Sequence, residues 1–440
     1  MRPSVWQEIY TASHHAFRII VPLPHHRTPW AWNNAYWAIV PFIPLGVMAY
    51  LVRRRDTFVM RLLLLPATIC LLVHSAHGFY WSDPLVETRN WSQRFVCAQF
   101  ISKALECALT PSGLSKVGET RLPPIGGEKD VYVRSSPTAK HGVPNLIFFP
   151  PAVSDAFEVL FACRGYGWDF EQGVHKPQEY RPLERHAFVN ATWIMVFRNF
   201  IVIDFLDAAV KLVPEASSPS GGSIFLPLPP VQRCVVSAII VIMTAIGIRA
   251  GFEVVYGVAT LIGVGLLNQS PLLWPPPFDH PFSSDSLTVF WGKGWHQSLR
   301  RMFFIYGGYP AFWLGSWISK ETGKALMVFG VFTASGLFHE LSTYTPGRGL
   351  DMRTTRFFVG QAVAVLGERA WFKLTGTKVH GWIGFIWVCF WTAVLGQQCI
   401  DAWYRRGLGS SAAIPTYMSP TRNLLWPILR WAHPVFKSLP

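Results

Sequence analysis

Charged side chains are scarce in this sequence of 440 residues, where Asp, Glu, Lys and Arg together make up 15% of the chain. Soluble domains carry about 25%. The seven cysteines are scattered without any CxxC spacing, so neither a disulfide framework nor a zinc site is indicated, and we predict no bound metal. Heptads, internal repeats and low-complexity tracts are also absent. A set of ordinary soluble domains, a coiled coil and a metalloprotein are therefore disfavoured.

Hydrophobic residues, in contrast, make up half of the sequence, and 20 Trp and 32 Phe exceed what one soluble core needs. Aromatic side chains of this number suit lipid-facing helices and the two interfaces of a bilayer. We predict an all-α polytopic membrane protein with about nine transmembrane helices, each an apolar run long enough to span the hydrocarbon core. The predicted spans cover residues 35–52, 62–81, 190–213, 231–248, 252–267, 302–319, 325–341, 356–372 and 381–402.

The formal net charge of +14 comes from Lys and Arg residues that mostly stand at the ends of apolar runs. Arg53, Arg54 and Arg55 form one such group. This distribution is typical of topology determinants that face anionic lipid and cytosol, and it is not the clustered basic face of a nucleic-acid-binding protein. The lipid bilayer is therefore a predicted partner, and nucleic acid is not.

The organisation that we predict has three parts. Residues 1–34 form an N-terminal segment, residues 35–404 form a single multi-span domain, and residues 405–440 form a C-terminal tail. Within the domain, the Pro-, Ser- and Gly-rich stretch at about residues 214–230 predicts a flexible linker. Residues 275–341 hold the motifs described next.

His339 follows an uncharged run, and an imidazole at that depth is costly unless it has a partner or a cavity. Ser335 and Gly336, one helical turn earlier, predict a small and uncrowded helix face that a substrate can reach. The alternative reading is a histidine at the membrane interface beside Glu340, and the residue alone does not decide between the two.

A second element, FWGKGWHQSLRR at Phe290 to Arg301, lies before the apolar run at residues 302–319. Its aromatic, amide, imidazole and cationic side chains suit a long amphipathic ligand with an anionic head. Its candidate binding residues are Trp291, Trp295, His296, Gln297, Arg300 and Arg301. By composition alone, the same residues are equally typical of an interfacial aromatic belt. RGYGW at Arg164 to Trp168 indicates a tight glycine turn, and on physical grounds alone a structural role is favoured.

These motifs carry a resemblance. FWGKGWHQSLR, preceded by PPPFDHP at Pro275 to Pro281 and followed by SGLFHEL at Ser335 to Leu341, resembles the wax-synthase-like branch of the membrane-bound O-acyltransferases (MBOATs). RGYGW resembles the RGxGW element of that branch. Within it, the sequence is most similar in style to fungal acetyltransferases of terpenoid and meroterpenoid biosynthesis. Lys293 and Gly294 replace the two arginines of the family's usual FWGRRWH.

The resemblance implies that His339 is the catalytic histidine and that His296 occupies the second motif position. It also implies that acetyl-CoA or another acyl-CoA is a co-substrate and that no cofactor stays bound. A hydrophobic alcohol is the implied acceptor, in a membrane that we expect to be the endoplasmic reticulum. As general base, His339 would take the proton of the attacking hydroxyl. Arg300 and Arg301 would hold CoA phosphates, and Arg164 and Trp168 join the expected substrate-binding residues.

Two other functions stay open. One is a long-chain wax-ester or diacylglycerol-type acyltransferase with the same fold, which would differ in the size of its chamber. The other is a transporter, in which intramembrane charges relay ions. The residues that motivate it are Arg198, Asp204, Asp207 and His339. The acceptor alcohol, the oligomeric state and the glycosylation of Asn90 and Asn190 are not determined by the sequence.

Overall fold

Helices account for most of the regular structure in the computed structural model, which describes residues 4–121, 132–134, 150–171, 173–345 and 348–432. The chain divides into two units. One comprises Met1–Asp83, Arg89–Lys140 and Phe148–Glu171, and the other comprises Pro84–Thr88, His141–Ile147 and Gln172–Pro440. The prediction of a mostly helical chain is confirmed, although short strands are also present.

The described part of the first unit contains helices and two pairs of short strands. Its helices are α1 Val5–Ile20, α2 Phe42–Leu51, α3 Phe58–Gly78, α4 Glu87–Leu109 (from residue 89 onward) and α5 Pro151–Phe161. Its strands are β1 Thr28–Pro29, β2 Phe79–Tyr80, β3 Glu119–Arg121 and β4 Tyr132–Arg134; β1 pairs with β2 in parallel and β3 with β4 antiparallel. The core lies between α2, α4 and α5, where Leu45, Met48 and Val159 have no exposed surface.

The second unit contains the motif region. Its helices are α6 Arg185–Val210, α7 Pro214–Ser217, α8 Pro230–Thr260, α9 Leu287–Val289, α10 Arg300–Phe303, α11 Tyr309–Ser316, α12 Lys320–Ser342, α13 Arg353–Thr375, α14 Gly381–Cys389, α15 Gln397–Arg405 and α16 Trp426–Ala432. Short π-helical stretches occur at Leu261–Leu266, Phe290–Gly294, Phe304–Gly308, Phe390–Val394 and Thr421–Leu425. Such stretches occur frequently at functional sites, and the second of them is the FWGKG of the motif.

Five helical stretches of the described chain are long and apolar enough to cross a membrane. They are Trp32–Leu51, Phe58–Gly78, Pro230–Leu266, Lys320–Ser342 and Gly381–Arg405. The predicted number of nine is therefore not confirmed. Charged residues interrupt two of the other predicted segments, since α6 includes Arg198 and Asp204 and α13 includes Glu368 and Arg369.

The prediction of two separate spans at 231–248 and 252–267 is wrong. Pro230–Leu266 is one continuous helical stretch of 37 residues, and Arg249 and Gly251 lie inside it. Arg249 does not end the helix because its guanidinium pairs with Glu253, one turn later, at 3.3 Å. A charged residue between two apolar runs therefore does not by itself indicate a turn.

The stretch predicted as a flexible linker, about residues 214–230, is packed in the structure. Ile224 has no exposed surface, and its N–H donates to Asp401 Oδ1 at 3.1 Å. The hydroxyl of Ser223 donates to the same oxygen at 2.6 Å. The buried carboxylate of Asp401 thus holds a segment whose composition alone predicts mobility.

Two glycines allow α12 to pack closely against its neighbours. A Cβ on Gly330 would lie 2.2 Å from the carbonyl oxygen of Gly307. A Cβ on Gly336 would lie 2.8 Å from Cα of Thr355, in α13. The small helix face beside His339 is therefore occupied by the backbone of α13, and it is not the open approach for substrate that the sequence predicts.

Candidate active site

His339 lies in the last two turns of α12, and its ring is oriented by the helix itself. Nδ1 is 2.7 Å from the carbonyl oxygen of Ser335, four residues earlier. Because a carbonyl oxygen can only accept, Nδ1 must carry the proton, and the lone pair of the neutral imidazole is then on Nε2. This tautomer is the one that a general base acting through Nε2 requires.

Four aromatic rings surround the imidazole of His339. The ring centroids of Phe358 and Phe338 lie at 4.8 Å and 5.1 Å, and those of Trp403 and Phe303 lie at 5.9 Å and 6.3 Å. Phe358 and Trp403 are nearly parallel to the imidazole, with interplanar angles of 20° and 17°. The imidazole is therefore enclosed by aromatic rings while it stays partly exposed.

Glu340, the next residue, has no exposed surface and holds three elements together. Its carboxylate accepts hydrogen bonds from the backbone N–H groups of Met352 and Thr354, both at 3.2 Å, at the start of α13. A negative charge is favourable at a helix N-terminus. The guanidinium of Arg406, which follows α15, pairs with the same carboxylate. Glu340 thereby fixes α12, α13 and α15 beside His339.

The FWGKGWH segment is held by α13. Glu368 accepts hydrogen bonds from the backbone N–H groups of Leu287 and Thr288, at 2.6 Å and 2.9 Å, at the start of α9. Gln361, two turns earlier on α13, accepts one from Trp291 Nε1 at 3.0 Å and donates to the carbonyl of Trp391 at 3.0 Å. The same helix therefore contacts His339 through Phe358 and holds the second motif.

The second motif is packed against PPPFDHP. The backbone N–H of Asp279 donates to the carbonyl of Gly294 at 3.0 Å, and the Asp279 carboxylate lies 2.6 Å from His175 Nε2. A Cβ on Gly294 would lie 3.0 Å from the Ser284 hydroxyl. Gly294 is buried, whereas Lys293 is exposed. A large side chain has no room at position 294 in this packing.

His296 and Gln297 have different surroundings. The imidazole of His296 stacks on Phe252, with ring centroids 4.3 Å apart and an angle of 14°. Gln297 is buried, and its amide nitrogen donates to the carbonyls of Trp291 and Trp295 at 3.2 Å and 2.8 Å. Its oxygen accepts from Arg300 Nη1 at 3.2 Å. The described contacts of Gln297 thus stabilise the loop that presents His296.

A series of ring contacts connects the two histidines. Phe358, which stacks on His339, lies 5.9 Å from Trp291, and Trp291 lies 6.4 Å from Trp295. Trp295 in turn lies 5.9 Å from His296. The structure therefore brings the predicted residues Trp291, Trp295, His296 and His339 into one aromatic cluster. Arg300 and Arg301 lie on the first turn of α10, both half-buried.

A groove with a volume of about 270 Å³ runs along α13. Arg353 and Arg356, Phe357, Gln361 and Trp391 contribute to its lining. Phe357 also contacts Phe358 with a ring distance of 5.2 Å. Phe357, which lines the groove, therefore contacts Phe358, and Phe358 stacks on His339.

The RGYGW element lies in the first unit. Trp168 has no exposed surface, and Arg53 and Lys116 lie over its ring at 5.2 Å and 5.5 Å. Arg53 also forms an ion pair with Glu119 at 2.8 Å. Arg53 is therefore part of a buried cluster. The prediction that it faces lipid head groups is wrong. Arg164 lies over the ring of Tyr166 at 4.6 Å.

Two of the charges that suggested a transporter, Asp204 and Asp207, hold the C-terminal segment. Asp204 accepts from the backbone N–H of Thr421 at 2.6 Å, and Asp207 pairs with Arg422 at 2.6 Å. Both carboxylates therefore have a structural role in the described chain. Asn90 of the glycosylation sequon is likewise engaged, since its side chain is buried and bonds to both backbone polar groups of Trp81.

Sequence reasoning missed the contributions of Glu340, Gln361, Glu368 and Arg406. One signal was available, because Gln361 and Glu368 are polar residues seven apart in a predicted span. That spacing places them on one helix face, where polar groups inside a membrane must find partners. The partners themselves are distant in sequence and were not predictable from spacing.

Comparison with known proteins agrees with the motifs. Residues 274–360 match the membrane bound O-acyl transferase family. The chain is 24% identical over 269 residues to O-Mevalon transferase yanI of Aspergillus niger, covering 54% of this chain and 58% of that protein. It is 29% identical over 174 residues to Acetyltransferase spyB of Aspergillus fumigatus, covering 33% and 29%. With Acetyltransferase eriL of Hericium erinaceus it shares 24% over 275 residues, covering 60% and 70%.

The predicted resemblance to the fungal branch of this family is confirmed. The chain aligns with 58% of the first of these relatives and 29% of the second. His296 and His339 both lie inside the segment that matches the family.

Proposed function

The chain carries the membrane bound O-acyl transferase segment, and on this premise we propose that it is an acyl-CoA:alcohol O-acyltransferase. More specifically, we propose that it transfers acetyl from acetyl-CoA to a hydroxyl group of a terpenoid or meroterpenoid. The single observation that supports this most is His339, whose tautomer is set by Ser335 inside an aromatic enclosure. Acetyltransferases among the similar proteins support the acetyl group.

In the proposed reaction, His339 Nε2 accepts the proton of the alcohol while the alcohol oxygen attacks the thioester carbonyl of acetyl-CoA. The tetrahedral intermediate then collapses, the carbon–sulfur bond breaks, and the CoA thiolate leaves and takes up the proton. General-base assistance of this kind contributes typically about 10²–10⁴-fold. No covalent acyl-enzyme and no bound cofactor are required.

The other predicted residues have proposed roles around this step. His296 would orient the alcohol or stabilise the oxyanion, because an imidazole N–H is a suitable donor. Gln297 would act through the loop that it stabilises, since its side chain bonds to Trp291, Trp295 and Arg300. Trp291 and Trp295 would form apolar walls. Arg300 and Arg301 remain proposed contacts of acyl-CoA. Arg164 and Trp168 are buried, with 7% and 0% of their surface exposed, and the structure gives them no role as ligand contacts.

The acceptor is proposed to be hydrophobic because the side chains around His339 are the aromatic rings of Phe303, Phe338, Phe358 and Trp403. Apolar helices of membrane-crossing length support delivery of this alcohol from the bilayer. We propose the endoplasmic reticulum as the membrane. Transfer of a group other than acetyl also has support, since two similar proteins are named O-Mevalon transferases.

The experiment that tests this function uses microsomes from a host that expresses the full chain. They are incubated with radiolabelled acetyl-CoA or palmitoyl-CoA and with either a hydroxylated sesquiterpenoid panel or hexadecanol. We expect labelled acetyl esters of a terpenoid alcohol that control microsomes do not form. Palmitoyl transfer to hexadecanol with no acetyl transfer would instead favour the long-chain acyltransferase, and no ester from either donor would contradict both.

A further inference from the structure

Granted the proposed acyl transfer at His339, one of the surrounding rings differs from the others in its exposure. Phe303, Phe338 and Phe358 are buried, with at most 9% of their surface exposed. Trp403 is only partly buried, although its ring lies 5.9 Å from the imidazole and nearly parallel to it. Trp403 therefore forms the side of the enclosure that is not sealed by packing.

The indole of Trp403 is held in place by hydrogen bonding. Its Nε1 donates to the hydroxyl of Thr354 at 3.1 Å. Thr354 has no exposed surface, and its backbone N–H donates to Glu340 at 3.2 Å. The indole cannot turn away from His339 without breaking its bond to Thr354, and Thr354 is itself fixed to the residue that follows His339.

The helix that carries Trp403 is also anchored. Asp401, two residues earlier on α15, has no exposed surface and accepts from Arg353 at 2.9 Å and from Ser223 at 2.6 Å. Arg406, three residues later, pairs with Glu340. Both ends of this part of α15 are thus fixed to neighbouring elements, so the position of the indole does not adapt easily to a larger ligand.

We propose that Trp403, fixed by Thr354, is the specificity-determining residue that restricts the acyl group at His339 to short chains. The thioester carbonyl must come within reach of the alcohol at Nε2, so the carbons of the acyl chain extend into the same enclosure. Each methylene that a pocket excludes changes selectivity by about 10–200-fold. A fixed indole at this place therefore discriminates strongly against long chains.

The test measures binding, because it then needs no knowledge of the acceptor. Purified full-length protein in detergent is mixed with S-ethyl-CoA or S-octyl-CoA, thioethers that carry the chain without a transferable acyl group. Binding is read from the concentration dependence of the rise in Tm. We expect the wild-type protein to bind S-ethyl-CoA more tightly. In Trp403→Ala, the Kd ratio of S-octyl-CoA to S-ethyl-CoA should fall at least about 10-fold.

Two further variants separate steric restriction from loss of folding. Thr354→Val keeps the indole but removes its acceptor, so the Kd ratio should fall in the same direction by a smaller factor. Trp403→Phe carries the test if Trp403→Ala does not purify in folded form. Trp313→Ala removes a tryptophan that is 57% exposed on α11, and it should keep the wild-type ratio.

The outcomes distinguish this inference from the proposed function. If Trp403→Ala and Trp403→Phe leave the Kd ratio unchanged, or weaken both ligands equally, Trp403 only supports His339 and the inference fails. Equal binding of both thioethers by the wild-type protein also overturns it. If S-ethyl-CoA produces no rise in Tm of the wild-type protein at any concentration, the proposed use of acyl-CoA fails as well.

Discussion

Arg406 forms a buried ion pair with Glu340, the residue next to His339, and also donates to Asp351 at 3.0 Å and to the hydroxyl of Thr343 at 3.0 Å. One guanidinium therefore links the end of α12 to the start of α13 from its position after α15. Removal of one partner from a buried ion pair leaves an uncompensated charge, which costs more than an exposed pair contributes.

Arg406→Ala should destabilise the second unit by about 3–5 kcal/mol. Thermal unfolding of the detergent-purified protein would show this as a lower Tm and as lost acetyl transfer after mild heating. Lys324→Ala is the control, because this side chain is 48% exposed and its ion pair with the exposed Glu321 should contribute about 0–1 kcal/mol. Equal losses for the two variants would contradict the assigned difference.

Gln361→Leu should reduce activity and lower the free energy of unfolding by about 1–3 kcal/mol, because Trp291 Nε1 and the carbonyl of Trp391 lose this buried partner. The substitution removes the acceptor of Trp291 Nε1 and so loosens the FWGKGWH segment, while leucine keeps much of the volume. Misplacement of reacting groups by about 1 Å can cost about 10²-fold, so we expect kcat for acetyl transfer to fall by up to that factor. Gln232→Leu, at an exposed position on α8, is the control. Unchanged kcat in Gln361→Leu would show that α13 does not position this motif.

Gly336→Ala should disturb the contact between α12 and α13. The added Cβ would lie 2.8 Å from Cα of Thr355, and overpacking of this kind costs about 1–3 kcal/mol. The measurement is Tm together with acetyl transfer by the same preparation. Gly367→Ala has open space around its Cβ and should gain up to about 1 kcal/mol from helix propensity. If Gly336→Ala keeps the wild-type Tm and activity, α12 and α13 do not pack as closely at this position as the structure indicates.

The cluster around Trp168 gives a pH prediction for the first unit. Burial raises the pKa of Glu119, but hydrogen bonds from Arg53 and from the backbone of Lys116 outweigh it, so the pKa lies below its usual 4.5. A carboxyl with a lowered folded pKa stabilises the native state above its unfolded pKa, and this is lost as pH falls through the folded pKa. The Tm difference between the wild-type protein and Glu119→Gln should therefore shrink on acidification below 4.5. A Tm difference that stays constant as pH falls would contradict the stabilising role of the Glu119 carboxylate.

Local sequence patterns predicted the helical class and the motifs, because the properties on which they depend are local. His339 after an uncharged run and the tryptophans around His296 were identified from composition and spacing. Long-range partners were not accessible in this way. Asp401 fixes residues 223–224 from a distant position, so a stretch that reads as a linker is ordered.

The continuous helix Pro230–Leu266 is a second case in which local sequence patterns do not predict the structure. The predicted spans at residues 231–248 and 252–267 leave Arg249 between them, whereas in the structure Arg249 lies inside one helix and pairs with Glu253. Helix ends depend on capping and tertiary contacts as much as on composition. The positions of charged residues are therefore a poor guide to the number of spans.

His339 as the general base is the central claim, and it is tested most directly by initial rates of labelled acetyl transfer in microsomes at matched expression. His339→Ala should lower the rate by at least about 10²-fold, whereas His380→Ala, at an exposed position before α14, should leave it unchanged. Both variants should retain the wild-type Tm shift with S-ethyl-CoA, which separates chemistry from binding. A His339→Ala protein that acetylates at the wild-type rate would contradict the account.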